Sequence, residues 1–312
     1  MDLLADVLAV SGVRGALGVR LETGGTWGLW LDDFPGAALH AVTAGTAWLT
    51  TPGHPPTELT AGDVVLLPAG TEHGLSNAPG TTAGPCDKAA AARAWATGDA
   101  VQLGSRPLHT RIVTAHYDHD PAVRTQVLNA LPDLVHVGTA TGAACLDDTV
   151  RLIARELAHP QIAMTAVLNS MVDILLIQLL RAWLAARPAQ QQGSWLGVLS
   201  DPVVREAMTR IHQEPARPWT TATLAAAISV SRATLSRRFP QAVGQTPAAY
   251  LTQWRMDLAA LRLRDTHDSV ETIATSVGYA SVPAFSRAFS RARGQAPGQY
   301  RAGIRDRHRA AA

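Results

Sequence analysis

"FPQAVGQTPAAY", residues 239–250, returns as "FSRARGQAPGQY", residues 289–300, with Phe, Ala, Gly, Gln, Pro and Tyr each displaced by 50 positions. A repeat at fixed spacing marks a duplicated structural unit. Two copies are too few for a solenoid, so the unit is one that works as a pair. In each copy the Gly-Gln-x-Pro-x-x-Tyr segment ends one helix at Gly244 or Gly294 and offers Pro247 or Pro297 to begin the next. Tyr250 and Tyr300 read as aromatics that pack back on the core.

Ahead of each repeat lies a short helix, a turn and a second helix. In the first copy "TTATLAAAI" (220–228) starts at a threonine N-cap, "SVS" (229–231) makes the turn, and "SRATLSRRF" (231–239) starts again at Ser231. In the second, "SVETIATSV" (269–277), "GYAS" (278–281) and "SVPAFSRAF" (281–289) follow the same plan, with Ser269 and Glu271 an imperfect capping box and Gly278 in the turn. Both are helix-turn-helix candidates. Leu224, Ala225 and Ile228, like Ile273, Ala274 and Val277, form the inner face of each first helix, where the small alanines let the second helix approach.

On the second helices Leu235 and Phe239, and likewise Phe285 and Phe289, point inward at i, i+4. Stepping about 100° per residue then turns Ala233, Ser236, Arg237 and Pro240 outward in one copy, and Pro283, Ser286, Arg287 and Ser290 outward in the other. Arg237 and Arg287 hold equivalent places. An arginine there can make a two-pronged contact to a guanine edge in the major groove of double-stranded DNA, while serines reach bases or phosphates. Arg232, Arg238, Ser281 and Arg291 complete the expected contact set, the arginines as phosphate ligands.

The charge distribution points the same way. Residues 201–312 hold 16 Arg against 8 Asp and Glu, a net +8, so with +2 overall the first 200 residues carry −6. A basic half joined to an acidic half fits a polyanion binder attached to a domain with another task.

From about Trp195 to Arg301 the chain resembles the DNA-binding domain of the AraC/XylS family of bacterial transcription regulators. The resemblance is carried by "WTTATLAAAISVSRATLSRRF", "YLTQWRMDLAALRLR" and "IATSVGYASVPAFSRAFSRARGQAPGQYR". It implies two helix-turn-helix units joined by a linker helix, here about 246–264, that sets the two reading helices roughly one DNA turn apart. It also implies RNA polymerase as a partner, and activation rather than repression. Pro240 departs from the pattern: an interior proline removes a backbone bond, so the first reading helix is expected to kink or end early.

Residues 15–137 contain short β-favouring runs, "TWGLWL", "TAWLT", "DVVLLP" and "HTRIVTAHY", between Gly, Pro and Thr-rich turns, which suits an antiparallel sheet closed into a barrel or sandwich. The Ala, Gly and Thr-rich stretch 77–104 reads as a loop. Helical spacing begins at Leu146, and a second helix is expected over 164–186, with 187–195 a linker. "GDVVLLPAGTEH" (62–73) resembles the second cupin motif and "LHAVTAGTAWL" around His40 a degenerate first motif, so the acidic half resembles the cupin-type sensor of a subgroup of these regulators. Val42 stands where the metal-binding cupins have a second histidine, which leaves His40 and His73. These two are expected to line an effector pocket without metal. The alternative, a two-histidine, one-carboxylate iron site, would draw on Glu72 or Glu58.

His109, His116, His119 and Asp120 read as solvated groups at a strand end, and Cys86 and Cys145 as ordinary thiols, with Lys88 beside Cys86 the only argument for redox sensing. Two cysteines do not make a secreted disulfide framework, the start "MDLLADVLAV" lacks a signal peptide's basic region, and the apolar run 174–180 is too short to span a bilayer, so a cytoplasmic protein off the membrane is expected. The fold class is α+β multidomain: a cupin-like β-barrel with a helical connector, then an all-α domain with two helix-turn-helix units. The expected boundaries are 1–137, 138–194 and 195–305. The expected protein is a non-enzymatic, cofactor-free regulator that binds DNA as a homodimer and answers to a small-molecule effector. Rival readings are a cupin enzyme carrying a DNA-binding tail and an architectural DNA binder with an inert β-domain.

Overall fold

Short β-branched and leucine-rich runs punctuated by glycine become eleven strands among the described residues. These residues, in a computed structural model, are 3–11, 13–32, 36–68, 70–118, 128, 131–138, 144–159, 161–186, 198 and 201–311. The strands are β1 (Arg14–Gly24), β2 (Gly28–Leu31), β3 (Ala37–Ala44), β4 (Thr46–Thr50), β5 (Thr57–Thr60), β6 (Val64–Leu67), β7 (His73–Ser76), β8 (Gly84–Pro85), β9 (Ala100–Gly104), β10 (Thr110–Asp118) and β11 (Val135–Val137). They form two sheets, ordered β11-β6-β3-β10-β1-β9 and β5-β4-β7-β2-β8. Only the β1/β9 and β2/β8 pairs run parallel. The expected barrel is therefore realised as two open sheets that share one core. Leu21, Val42, Val65 and Ile112 come from one sheet and Leu29, Leu49, Leu59 and Leu75 from the other.

The stretch 77–104 is not the expected loop. It holds β8, β9 and a helix, α2 (Lys88–Thr97). The Asp87 side chain caps that helix by accepting from the amides of Ala89 and Ala90 at 3.0 and 2.9 Å, and the alanine run that follows is the best helix former available. Two longer helices complete this unit, α3 (Ala144–Ala158) and α4 (Met164–Ala186). Gln178, the polar interruption of the apolar run, meets Thr149 of α3 at 2.7 Å.

On α4, Asn169 accepts from the amide of Leu17 at 2.9 Å and Asp173 from that of Gly15 at 2.7 Å. Both amides lie where β1 has no β9 partner, so the helix satisfies donors that the sheet leaves over. Gly15 is needed for the approach, because a Cβ there would stand 2.5 Å from Val172 Cγ1. The helix is long and apolar enough to cross a bilayer by composition, but Leu168, Val172, Leu175, Leu176, Leu179, Leu180 and Trp183 are buried within the fold.

The second unit contains α1 (Leu3–Ser11) together with α5 (Pro202–Gln213), α6 (Thr221–Ala227), α7 (Arg232–Val243), α8 (Pro247–Asp265), α9 (Val270–Ser276), α10 (Val282–Arg293) and α11 (Pro297–Ala311). The opening helix thus groups with the C-terminal helices rather than with the strands that follow it. α3 and α4 group with the strands. The linker 187–195 and the residues His119 and Asp120 lie outside the described residues.

Candidate functional site

Capping side chains set each helix-turn-helix. Thr220 and Thr223 cap α6 reciprocally, Ser231 caps α7 through the amide of Thr234 at 3.0 Å, and Ser269 caps α9 through that of Thr272 at 3.0 Å. The turn after α6 carries Ser229 at φ 58° and the turn after α9 carries Gly278 at φ 84°. α7 and α10 both end on a left-handed glycine, Gly244 at φ 77° and Gly294 at φ 73°. Pro240 does not shorten α7, which runs on to Val243. The missing donor is tolerated because the helix has only one further turn and the amide of Gly244 closes it on the Pro240 carbonyl at 2.9 Å.

Leu235, Phe239, Phe285 and Phe289 are wholly buried, and Phe289 meets Tyr300 edge-on at 5.4 Å. Opposite them, Arg232, Ala233, Ser236 and Arg237 are exposed on α7. On α10, Pro283, Arg287 and Arg291 are exposed, and Ser286 and Ser290 are half-buried. An open hollow of about 560 Å³ is lined by Ser286, Arg287, Ser290 and Arg291. Among the described residues, Arg232, Arg237 and Arg287 have no hydrogen bond or ion pair, and Arg291 neighbours Tyr279.

Other arginines of this unit are spent on the fold. Arg238 donates to Asp201 at 2.9 Å, so this expected phosphate ligand instead ties α7 to the N-cap of α5. Ser281 is the N-cap of α10. Arg255 donates to the carbonyls of Pro215 at 2.7 Å and Arg217 at 3.0 Å and lies over Tyr279. Arg293 is buried against Asp257 of α8, whose other partner is Gln253 at 2.9 Å. Burial pushes the Asp257 carboxyl up to about 6 against the pull of Arg293. Sequence reasoning missed this pair, although Arg293 continues the inward stripe Phe285, Phe289 by one more step of four.

In the β-domain His40 and His73 are fully buried and face each other across the two sheets with their Nε2 atoms 2.8 Å apart. Two nitrogens sharing a tetrahedral metal at ordinary bond lengths stand about 3.3 Å apart. Glu58 and Glu72 are exposed, and no group of three ligating side chains occurs among the described residues. The residues present therefore do not fit the metal of enzymatic cupins.

Nor do these histidines line an open pocket, as the sequence led us to expect. A cavity of about 810 Å³ in this unit lies between β1, β2, β9, β10 and α2, and Thr114 and His116 of β10 face it. His116 is thus a wall residue rather than a solvated strand end. His109 is exposed and bonded to the Pro107 carbonyl at 3.1 Å. Cys86 lines the same cavity, and burial raises its thiol rather than activating it.

Two helix-turn-helix motifs in one unit and a cupin-like pair of sheets in the other are the parts from which transcription regulators are built. A cupin family model matches residues 2–185, and a helix-turn-helix domain model matches residues 224–303. A Streptomyces lividans protein named as an AraC-like transcription regulator is 36% identical over 304 residues, covering 96% of this chain and 98% of its own. The HTH-type transcriptional regulator AlkR of Acinetobacter baylyi is 30% identical over 305 residues, covering 96% of this chain and 99% of its own. The crystal structure of the DNA-binding domain of AdpA in complex with a target DNA is 31% identical, covers 34% of this chain and 96% of that one, and has a TM-score of 0.32. The chain belongs to the AraC-like transcription regulators with an N-terminal cupin domain. Its function is DNA-binding transcription regulation.

Proposed function

We propose that this regulator is an effector-responsive activator that works by binding rather than by catalysis. In this reading Arg237 and Arg287 each read a base edge while Arg232 and Arg291 hold phosphates. The observation that carries the proposal is the pair of equivalent, exposed arginines, without a partner among the described residues and set opposite Leu235/Phe239 and Phe285/Phe289, in a unit whose other arginines are largely held by the protein. The 19-residue α8 between the two reading helices is about 28 Å long at 1.5 Å per residue, suited to two readings of one groove. A homodimer in the cytoplasm, taking a small effector in its β-domain and contacting RNA polymerase, completes the reading.

The test is binding of Arg237→Ala and Arg287→Ala to a library of operator variants. Each change is expected to cost about 1–3 kcal/mol on the preferred site and to relax preference at one base position. Arg232→Ala and Arg291→Ala are expected to weaken binding to all sequences alike and to flatten the salt dependence. Unchanged base preference in both of the first two variants would mean that other faces of these helices meet DNA.

A further inference from the structure

The 810 Å³ cavity of the β-domain has walls of leucine, valine and alanine, and its charged lining among the described residues is Asp32, Asp87 and Lys88. Its polar floor is on β10, where Thr114 and His116 point inward on the same strand face as the core residue Ile112. His116 is already engaged within the protein. Thr114 is tied by its hydroxyl to the buried His40.

Thr71 fixes where the protons of this group lie. Its carbonyl can only accept, so the Nδ1 of His73, 2.7 Å away, carries the proton. The Nε2 of a neutral His73 is then an acceptor, and the proton in its 2.8 Å contact with His40 belongs to the His40 Nε2. The His40 Nδ1 is left as an acceptor, so the Thr114 hydroxyl, 3.1 Å away, donates to it. Burial holds both rings in the neutral form this chain requires, since it lowers the pKa of each. Thr114 has one proton, and it is committed to His40. What it still offers the cavity is a lone pair.

We propose that this cavity is the effector site of the regulator and that it takes a predominantly apolar, uncharged molecule bearing one hydrogen-bond donor, an alcohol, phenol or amine, which donates to Thr114 Oγ1. The buried His40–His73 pair is then not part of the pocket wall. It is the device that orients the Thr114 hydroxyl away from the cavity and makes its floor an acceptor. A ligand that could only accept, such as an ether, would have to turn the Thr114 proton away from His40. A carboxylate would meet the same obstacle and would also be desolvated beside Asp32 and Asp87. The inference rests on the β-domain being the sensing part of the chain, but the binding site itself does not depend on how DNA is read.

The experiment uses the full chain and the neutral fluorophore N-phenyl-1-naphthylamine, which is apolar and carries one N–H. It is expected to bind with enhanced fluorescence and to be displaced by 1-octanol roughly 3- to 10-fold more effectively than by heptyl methyl ether, as one added hydrogen bond predicts, and not by octanoate. Ala91→Trp, which fills the cavity from the exposed helix α2, is expected to abolish fluorophore binding. Thr114→Val is expected to keep fluorophore binding and erase the preference for alcohol over ether. Equal displacement by alcohol and ether in the unaltered chain overturns the assignment, whether or not Thr114→Val folds. Unaltered fluorophore binding in Ala91→Trp, or no binding in the parent, overturns the site. Loss of operator recognition with fluorophore binding intact would instead count against the DNA reading alone.

Discussion

Gly278 turns the chain closely against Ala216 and Arg255. It has φ 84°, and a Cβ there would lie 2.5 Å from the Ala216 carbonyl oxygen and 2.8 Å from Nη2 of Arg255. The oxygen is backbone, so it cannot swing aside as a side chain would. Gly278→Ala is expected to destabilise the C-terminal unit by about 2–4 kcal/mol, combining the left-handed penalty with overpacking, and to weaken operator binding while far-UV circular dichroism stays helical. Urea unfolding with a midpoint equal to that of the parent would show that the 215–217 loop yields freely. The equivalent turn in the first unit holds Ser229 at φ 58°, so only one of the two turns is built around a glycine.

Which side of α7 and α10 faces outward is legible in the sequence because periodicity is local. Once Phe285 and Phe289 are placed inside, Arg287 has only one direction left, and the same arithmetic puts Arg293 inside, where Asp257 waits. The Thr114, His40 and His73 chain was not legible. Its three members are 33 and 74 positions apart and meet only because β3 and β10 pair in a register that sets His40 beside Thr114, with β7 facing them from the other sheet.

Elements differ in how much of their reason for existing lies within their own sequence. α2 has all of it: the Asp87 cap, an alanine run and Gly98 to finish, a cap, body and stop that composition alone does not distinguish from a loop. α1 has very little, for it has no polar face of its own to set its direction. Leu3, Leu4, Val7, Leu8 and Val10 are all buried, and Asp6 accepts from the Nδ1 of His212 at 3.3 Å. Tyr250 then donates to the His212 Nε2 at 2.7 Å, and Trp254 stacks on the ring at 3.7 Å.

The neutral His212 ring satisfies both neighbours, and burial pulls its pKa down to about 4 although Asp6 opposes the shift. The folded state therefore binds this proton more weakly than the unfolded chain, whose histidine titrates near 6.5. Stability from His212 is fully present above about pH 6.5 and falls as the pH drops towards 4, by up to about 3 kcal/mol. Urea unfolding of the full chain across this window should show the loss, and His212→Gln, which keeps a donor and an acceptor without titrating, should flatten it. Identical pH profiles for variant and parent would put the acid sensitivity elsewhere, His40 and His73 being the other buried rings that titrate in the same direction.

At the scale of the whole molecule, the division into a basic helical unit and an acidic sheet unit follows from charge and pattern, but association of two copies does not. The β-domain's helices leave large apolar side chains in water: Leu152 on α3 is 45% exposed, Val167 and Ile174 on α4 are 37% and 48% exposed, and Ile162 between the helices is wholly exposed. Val167 and Ile174 are seven residues apart, so they share one face of α4, two turns from each other. The opposite face of the same helix is consumed by the sheet, through Leu168, Val172 and the Asn169 and Asp173 contacts to β1, so the outer stripe is surplus to the fold of a single chain. Covering each of these side chains contributes up to about 1.5–3 kcal/mol, scaled by the fraction still exposed. A second copy supplying the same stripe would bury them in pairs about a twofold axis. Sedimentation equilibrium is expected to give a dimer at micromolar concentration, and Ile174→Glu a monomer with unchanged circular dichroism and weaker binding to a two-site operator but not to a single site. A parent chain that sediments as a monomer up to tens of micromolar, with and without DNA, would remove the dimer and leave that stripe to another partner.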